Sequence, residues 1–211
     1  DSEGIRFTPV TGISRSVDVS AALAHRDNGI AIRLTREEFE AGRIPRELPL
    51  FLAHHGLSPE EVDLIVDLGP VDNELIVTGV INLTEQFLDA VPDHARWKTL
   101  TVSSCAFPQS MGRVQGMSED FVGRVEWLAW RDGLHARRTK LRRLPTFSDC
   151  GIQHPSGVEG FDPRVMQASA AIRYALPESW LLIKGESTKS TSATLHYPQL
   201  ARQLVYGHLR P

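Results

Sequence analysis

Short, β-rich apolar runs alternate with amphipathic stretches along the whole chain. The runs "GIAIRLT" (29–35) and "VDLIVDLG" (62–69) combine β-branched residues with alternating polarity, a pattern that predicts strands. Further strands are predicted at 6–13, 99–107 and 146–153. The runs 170–176 and 179–185 are interpreted either as consecutive strands or as a hairpin.

Apolar residues at helical spacing occupy much of the chain between these strands. Helices are predicted at 17–28, 49–57, 75–93, 121–137 and 197–209, and a long loop at 108–120. Thr35 precedes Glu38 by the capping-box spacing that marks a helix start, and Ser58 precedes Glu61 in the same way. Gly56 is expected to end the helix before it.

Alternation of strands and helices with short connections indicates a parallel sheet and therefore an α/β fold. The sequence contains no Gly-rich dinucleotide fingerprint and no phosphate loop, which favours a barrel over a doubly wound sheet. The predicted fold is an incomplete TIM-like (β/α) barrel that forms a single domain over residues 1–211. Because the chain starts at "DSEGIRF" without a Met, we expect a fragment that lacks both ends of a longer protein.

The composition is that of an ordinary globular protein, with 41% hydrophobic and 23% charged residues and a net charge of -3. The mild negative charge argues against a dedicated nucleic-acid binder. No apolar run approaches the length of a membrane span. The two cysteines, Cys105 and Cys150, are too few for a disulfide framework, so a cytoplasmic protein is predicted.

Side chains of a strand point alternately to two faces, so each predicted strand can be sorted into an apolar set and a polar set. In a barrel the polar set lies inside, and active sites form at the carboxyl ends of the strands. The polar residues near those ends are Arg33, Asp67, Ser103, Asp149, Gln153, Arg173 and Lys184. Cations together with carboxylates at this edge predict a site for an anionic or phosphorylated small molecule.

Each of these residues has a predicted role. Arg33, Arg173 and Lys184 are expected to hold the anion, Ser103 and Gln153 to bind the ligand, and Asp67 or Asp149 to act as base or metal ligand. The alternative is structural: Arg33 with Asp67, and Asp149 with Arg173, would be internal ion pairs, because buried charges are normally paired. The pattern identifies neither the metal nor the cofactor.

Two further features can each be interpreted in two ways. His154 follows a predicted strand, and it is a candidate acid, base or metal ligand or else a loop residue that caps the strand through a hydrogen bond. The basic run "HARRTKLRR" (135–143) is interpreted as a phosphate-contacting surface or as a solvated helix end. The run lacks interleaved aromatic residues, which favours the helix end.

Several motifs resemble the beta-protein family of phages and bacteria. The segments that carry the resemblance are "FTPVTGI" (7–13), "IRLT" (32–35), "VDLIVDLG" (62–69), "VEWLAW" (125–130), "CGIQHP" (150–155) and "IRYALPESWLLIKG" (172–185). Cys150 stands where the family pattern has a Tyr. The resemblance implies longer chains, no settled activity and a role in phage–host conflict.

Two functions therefore compete, beside a third alternative, nucleic-acid binding through residues 135–143. The first is an anion-binding α/β barrel with hydrolase activity, in which Asp149, Asp67 and His154 are catalytic. The second is a non-catalytic scaffold that binds a protein partner.

Overall fold

The computed structural model describes residues 6–71, 77–157, 169–187 and 193–209. Its strands are β1 Val10–Thr11, β2 Ile30–Thr35, β3 Val62–Pro70, β4 Thr99–Cys105, β5 Ser118–Gly123, β6 Thr146–Ser148, β7 Ser169–Ala175 and β8 Ser179–Ser187. Its helices are α1 Ser16–Ala24, α2 Arg36–Glu40, α3 Ile44–His55, α4 Val77–Ala90, α5 Val125–Leu128 and α6 Ala193–Leu204. Wider π-helical turns continue α5 over Ala129–His135 and α6 over Val205–Leu209.

The described residues form two compact units. The first unit comprises 6–71, 77–104 and 126–149, and the second comprises 105–125, 150–157, 169–187 and 193–209.

The first sheet contains five parallel strands in the order β1-β2-β3-β4-β6. This order follows the chain without reversal, and right-handed crossovers then place the connecting helices on one face of the sheet. The predicted α/β class is therefore confirmed. The described strands do not close into a barrel, because β5, β7 and β8 form a separate antiparallel sheet instead of continuing the parallel one.

One face of the first sheet forms the core of the first unit. The fully buried strand residues are Ile30, Ile32, Leu34, Val62, Leu64, Val66, Leu68 and Leu100. Helices contribute Leu48 from α3 and Phe87 from α4, and the Phe87 ring stacks on Phe39 at a centroid distance of 4.4 Å. The alternation read from the sequence therefore predicted the buried face of β2, β3 and β4 correctly.

The predicted capping box at the start of α2 is present. Glu38 is 2% exposed, and its Oε2 accepts a hydrogen bond from the Thr35 backbone N–H at 2.7 Å. Its Oε1 accepts a second one from the Ser14 N–H at 3.1 Å. One carboxylate thus fixes the start of α2 and also the turn after β1, close to the carboxyl end of β2.

Replacing Glu38 with Ala should lower the free energy of unfolding by about 1–3 kcal/mol, because two backbone donors lose their acceptor at a buried position. Urea denaturation measures the change. Glu37→Ala is the matched control, since Glu37 is an exposed neighbour in the same helical turn. An equal loss for both variants would show that helix propensity, and not the capping carboxylate, accounts for the effect.

The second unit is built on the antiparallel sheet β5-β8-β7. α6 packs on one face, where Ala170, Leu181, Ile183 and Leu200 are buried together. The segment 105–114 packs on the other face, against Trp180 and Leu182. The pairing of β7 with β8 confirms the hairpin alternative for 170–176 and 179–185.

Two boundaries predicted for this part of the chain are wrong. Residues 118–123 form β5, which pairs with β8 from Ser118 opposite Lys184 to Gly123 opposite Ser179. This strand replaces the end of the predicted loop 108–120 and the start of the predicted helix 121–137. The strand predicted at 146–153 ends at Ser148, and Gly151 adopts a φ of 63°, which extended backbone does not allow. Phe147, Asp149 and Gln153 therefore do not share one strand face.

A polar contact joins the helical end of the chain to β5 in the second unit. Glu119 accepts hydrogen bonds from Gln203 Nε2 at 2.8 Å and from His208 Nε2 at 3.0 Å. The bond from His208 is the main cause that lowers the pKa of Glu119 below its ordinary value of 4.5, with a smaller effect of Gln203 in the same direction.

Candidate functional site

The face of the first sheet opposite the core is mostly polar and, apart from buried Asp67 and exposed Thr146, half-buried. We call it the polar face, and it comprises Arg33 and Thr35 of β2, Asp63, Ile65 and Asp67 of β3, Thr99, Thr101 and Ser103 of β4, and Thr146 and Ser148 of β6. In the parallel register Arg33 lies opposite Ile65 and Thr35 lies opposite Asp67. The polar residues of β2 and β3 therefore lie side by side.

Arg33 and Asp67 form an ion pair at the carboxyl ends of β2 and β3. The Arg33 Nε and Nη2 groups both contact Asp67 Oδ2, and Asp67 Oδ1 accepts a hydrogen bond from the Gly69 N–H at 2.8 Å. The Asp67 side chain is 9% exposed and the Arg33 side chain is 38% exposed. Asp67 is thus fully engaged, whereas the guanidinium of Arg33 reaches solvent.

The same edge of the sheet carries the other predicted residues of the first unit. Ser103 near the end of β4 lies opposite Ser148 in β6, and Asp149 follows Ser148 directly. Because β2, β3, β4 and β6 are adjacent and parallel, Arg33, Asp67, Ser103 and Asp149 all lie at the carboxyl edge. Ligands of open α/β sheets bind at this edge.

A second polar cluster lies at the amino end of the polar face. The sequence pattern did not predict it. Asp63 accepts hydrogen bonds from Lys98 Nζ at 2.8 Å and from Thr99 Oγ1 at 2.9 Å. Thr101 and Thr146 share a hydrogen bond of 2.8 Å between β4 and β6. The only signal in the sequence was a polar residue at alternate positions of β3 and β4, which does not identify the partners.

The remaining predicted residues lie in the second unit, around the loop 150–157. Arg173 Nη1 donates to the Ile152 carbonyl at 3.0 Å, and its Cζ lies 5.3 Å from the centroid of the Phe107 ring. The Cys105 thiol lies 3.8 Å from the Gln153 carbonyl oxygen and donates to it. The loop is therefore attached through its backbone carbonyls, while the Gln153 side chain is exposed.

His154 is held inside this loop by local hydrogen bonds. Its Nδ1 accepts from the Ser156 N–H at 3.1 Å, and its carbonyl accepts from the Gly157 N–H at 2.9 Å. The predicted structural alternative was a loop histidine that caps the strand through a hydrogen bond; the hydrogen bonds of His154 lie within the loop, because β6 already ends at Ser148. Since Nδ1 is an acceptor, the neutral ring carries its proton on Nε2.

The match to a family model decides which family these motifs belong to. The model described as "Beta protein" matches residues 1–209. The chain belongs to the beta-protein family. No curated protein and no solved structure matches the chain significantly.

Lys184 of this beta-protein-family chain has a structural contact. Its ammonium donates to the Met111 carbonyl at 3.3 Å and to the Val114 carbonyl at 3.0 Å, and it thereby fixes the short helical turn Met111–Arg113. Arg124, which the sequence analysis did not single out, lies 4.6 Å from the centroid of the Trp180 ring and donates to the Leu176 carbonyl at 3.1 Å.

The predicted residues of the beta-protein-family chain are thus divided between the two units. Arg33, Asp67, Ser103 and Asp149 belong to the first unit, and Gln153, His154, Arg173 and Lys184 to the second. Among the described residues there is no group of three or more His, Cys, Asp or Glu side chains that could hold a metal ion. In the same residues no helix is long and apolar enough to cross a membrane.

Proposed function

We propose that this beta-protein-family chain binds an anionic or phosphorylated small molecule at the carboxyl edge of its first sheet. The observation that carries the proposal is the geometry of Arg33. Asp67 orients the guanidinium from one side, and Nη1 makes no hydrogen bond within the described part of the chain. An oriented, partly exposed guanidinium with a remaining donor is suited to a phosphate or carboxylate oxygen.

The surrounding residues support the same ligand class. Ser103 adds a hydroxyl group on the polar face, and hydroxyls donate to anion oxygens. The sequential strand order of the first sheet is also that of a TIM-like barrel, which is our proposed architecture for the family. In such a barrel the polar face lies inside and ligands bind at the carboxyl edge.

Hydrolysis of the bound molecule is the second part of the proposal. Both oxygens of Asp67 are already hydrogen-bonded, so we assign Asp67 the task of positioning Arg33. Asp149 follows β6 at the same edge and is our candidate for the base that activates water. Asp149→Asn should then abolish release of inorganic phosphate from a phosphate ester while leaving binding of that ester unchanged.

Binding is tested by thermal shift with inorganic phosphate and sugar phosphates. A ligand at one hundred times its Kd should raise the Tm of the wild type by about 5–10 °C, and Arg33→Ala should abolish the shift. Arg36→Ala is the matched control, because Arg36 is also 38% exposed and also ion-paired, through Nε to Glu40 at 2.7 Å. If no probe shifts the Tm, or if Arg33→Ala and Arg36→Ala behave alike, the proposed site is wrong.

The second candidate function is binding of a protein partner by a non-catalytic scaffold. It is favoured by exposed aromatic side chains in the second unit, where Phe121 is 48%, Tyr197 51% and Tyr206 61% exposed. For either function we infer a cytoplasmic, phage-related setting, based on the two cysteines and on the resemblance to a family found in phages.

A further inference from the structure

A cavity of about 420 Å³ lies in the first unit, beside the carboxyl-terminal end of α4. Its volume falls in the range of small-molecule sites. α4 leads from the carboxyl end of β3 to the amino end of β4, so this cavity lies at the amino edge of the sheet, opposite the carboxyl edge that carries Arg33. It is therefore separate from the proposed Arg33 site.

The basic run 135–143 supplies most of the charge of this cavity. Four cations line it, namely Arg137, Lys140, Arg142 and Arg143, against the two carboxylates Glu85 and Asp89. Arg137 is paired with Glu85 at 3.0 Å. The exposed side chains of Lys140 and Arg142 make no hydrogen bond or ion pair within the described residues, so their donors remain for a ligand.

Arg143 gives the cavity a fixed positive charge. Its Nη1 donates to the carbonyls of His94, at 3.3 Å, and of Trp97, and its Nη2 donates to the Lys98 carbonyl at 3.2 Å. Carbonyl oxygens orient the guanidinium but do not neutralise it. A half-buried cation held in this way keeps a positive potential in the cavity wall.

His94 adds a buried polar group to the lining. It is 6% exposed, and because its Nε2 contacts the Leu88 carbonyl, which can only accept, the proton is on Nε2. Its Nδ1 makes no hydrogen bond within the described chain. Leu88 and Leu141 also line the cavity, so it has apolar wall area beside the polar groups.

We infer that this basic cavity is a second ligand site, which binds a phosphate monoester of nucleotide size. Lys140 and Arg142 contact the phosphate, Arg143 supplies the fixed charge, and the leucines contact the base or another apolar part of the ligand. A cavity that receives one phosphate group and one ring fits this class better than an extended nucleic-acid strand, which needs an open groove with several phosphate contacts.

The test is calorimetric titration of the full chain with the four ribonucleoside 5′-monophosphates at fixed ionic strength. The corresponding nucleosides serve as probes without phosphate. At least one monophosphate should bind, and its nucleoside should bind at least tenfold more weakly. Lys140→Ala and Arg142→Ala should each weaken binding by about tenfold, because each removes a charge-assisted hydrogen bond.

Arg138→Ala is the matched control, because Arg138 belongs to the same basic run, does not line the cavity and donates to the His135 carbonyl at 3.1 Å. Arg138→Ala should bind the monophosphate as the wild type does, and Arg33→Ala, which removes the strand-end site, should keep the binding that Lys140→Ala and Arg142→Ala weaken. Retained binding in Arg33→Ala shows that the cavity is independent of the strand-end site, and lost binding would assign the ligand to that site and overturn the inference.

Three other outcomes would also overturn it. One is equal weakening by Arg138→Ala and Lys140→Ala, which indicates general electrostatic attraction. The second is an oligonucleotide that binds more than tenfold tighter than any monophosphate, with affinity falling steeply as salt rises, which indicates a nucleic-acid surface. The third is the absence of binding to the folded wild type at millimolar monophosphate.

Discussion

Leu64→Ala should destabilise the first unit by about 2–5 kcal/mol. Leu64 lies in β3, which has neighbours on both sides in the sheet, and its side chain is 0% exposed. In the register it lies opposite Ile32, which is also completely buried. Truncation removes buried methyl groups and leaves a cavity that rigid β-strands cannot fill, and the two effects add. Urea denaturation followed by circular dichroism measures the loss.

The neighbouring residue provides the control for this experiment. Ile65 lies on the polar face and is only half-buried, so Ile65→Ala should cost about 1 kcal/mol. The same kind of side chain is removed at the next position of the same strand, so the contrast depends on the face alone. Equal losses of stability in Leu64→Ala and Ile65→Ala would mean that both faces of β3 are buried to the same extent. The proposed Arg33 site requires a polar face beside the core, so it would then be wrong as well.

Local patterns were sufficient to predict much of the first unit. Period-two alternation located β2 and β3, and the capping-box spacing placed the start of α2 at Thr35. These signals work because the burial of a strand face and the satisfaction of a helix end are determined by residues close in sequence. The prediction that Arg33, Asp67 and Ser103 share a face at the carboxyl edge follows from the same alternation.

Contacts between distant residues explain what the sequence did not predict. Phe121, Val125, Leu128 and Ala129 fit one face of a helix, yet residues 118–123 pair as β5 with β8, some sixty residues further along the chain. Lys184 was expected to hold an anion, and its ammonium is bonded to the carbonyl of Val114, 70 residues away. Every residue has a backbone carbonyl, so residue types do not show which carbonyl will accept the hydrogen bond of a given side chain.

The Arg33–Asp67 pair shows how a prediction of partners can succeed without deciding function. Alternation placed both residues on one face, and adjacency of β2 and β3 brings them into contact. The pair stabilises the strand ends whether or not a ligand binds, since a buried carboxylate needs a partner. What favours a ligand is the unequal exposure of the two side chains, which depends on the surrounding fold and not on residue type.

Phe107→Ala should destabilise the second unit by about 3–5 kcal/mol. The ring is 2% exposed and meets Trp180 edge to face at a centroid distance of 5.4 Å, in the cluster that also contains Leu182. The same ring lies below the guanidinium of Arg173, which holds the Ile152 carbonyl. Loss of the ring should therefore also loosen the loop 150–157. Urea denaturation measures the stability.

The loosening of the loop is measured by amide hydrogen exchange. The amides of Ser156 and Gly157 are hydrogen-bonded within the loop, and both should exchange faster in Phe107→Ala. Phe121→Ala is the control, because Phe121 is 48% exposed and lies in the same unit, so it should cost about 1 kcal/mol and leave both amides unchanged. Faster exchange in Phe121→Ala as well would show that the loop responds to the stability of the whole unit. Faster exchange in Phe107→Ala alone would show that Phe107 and Arg173 hold the loop that carries Gln153 and His154.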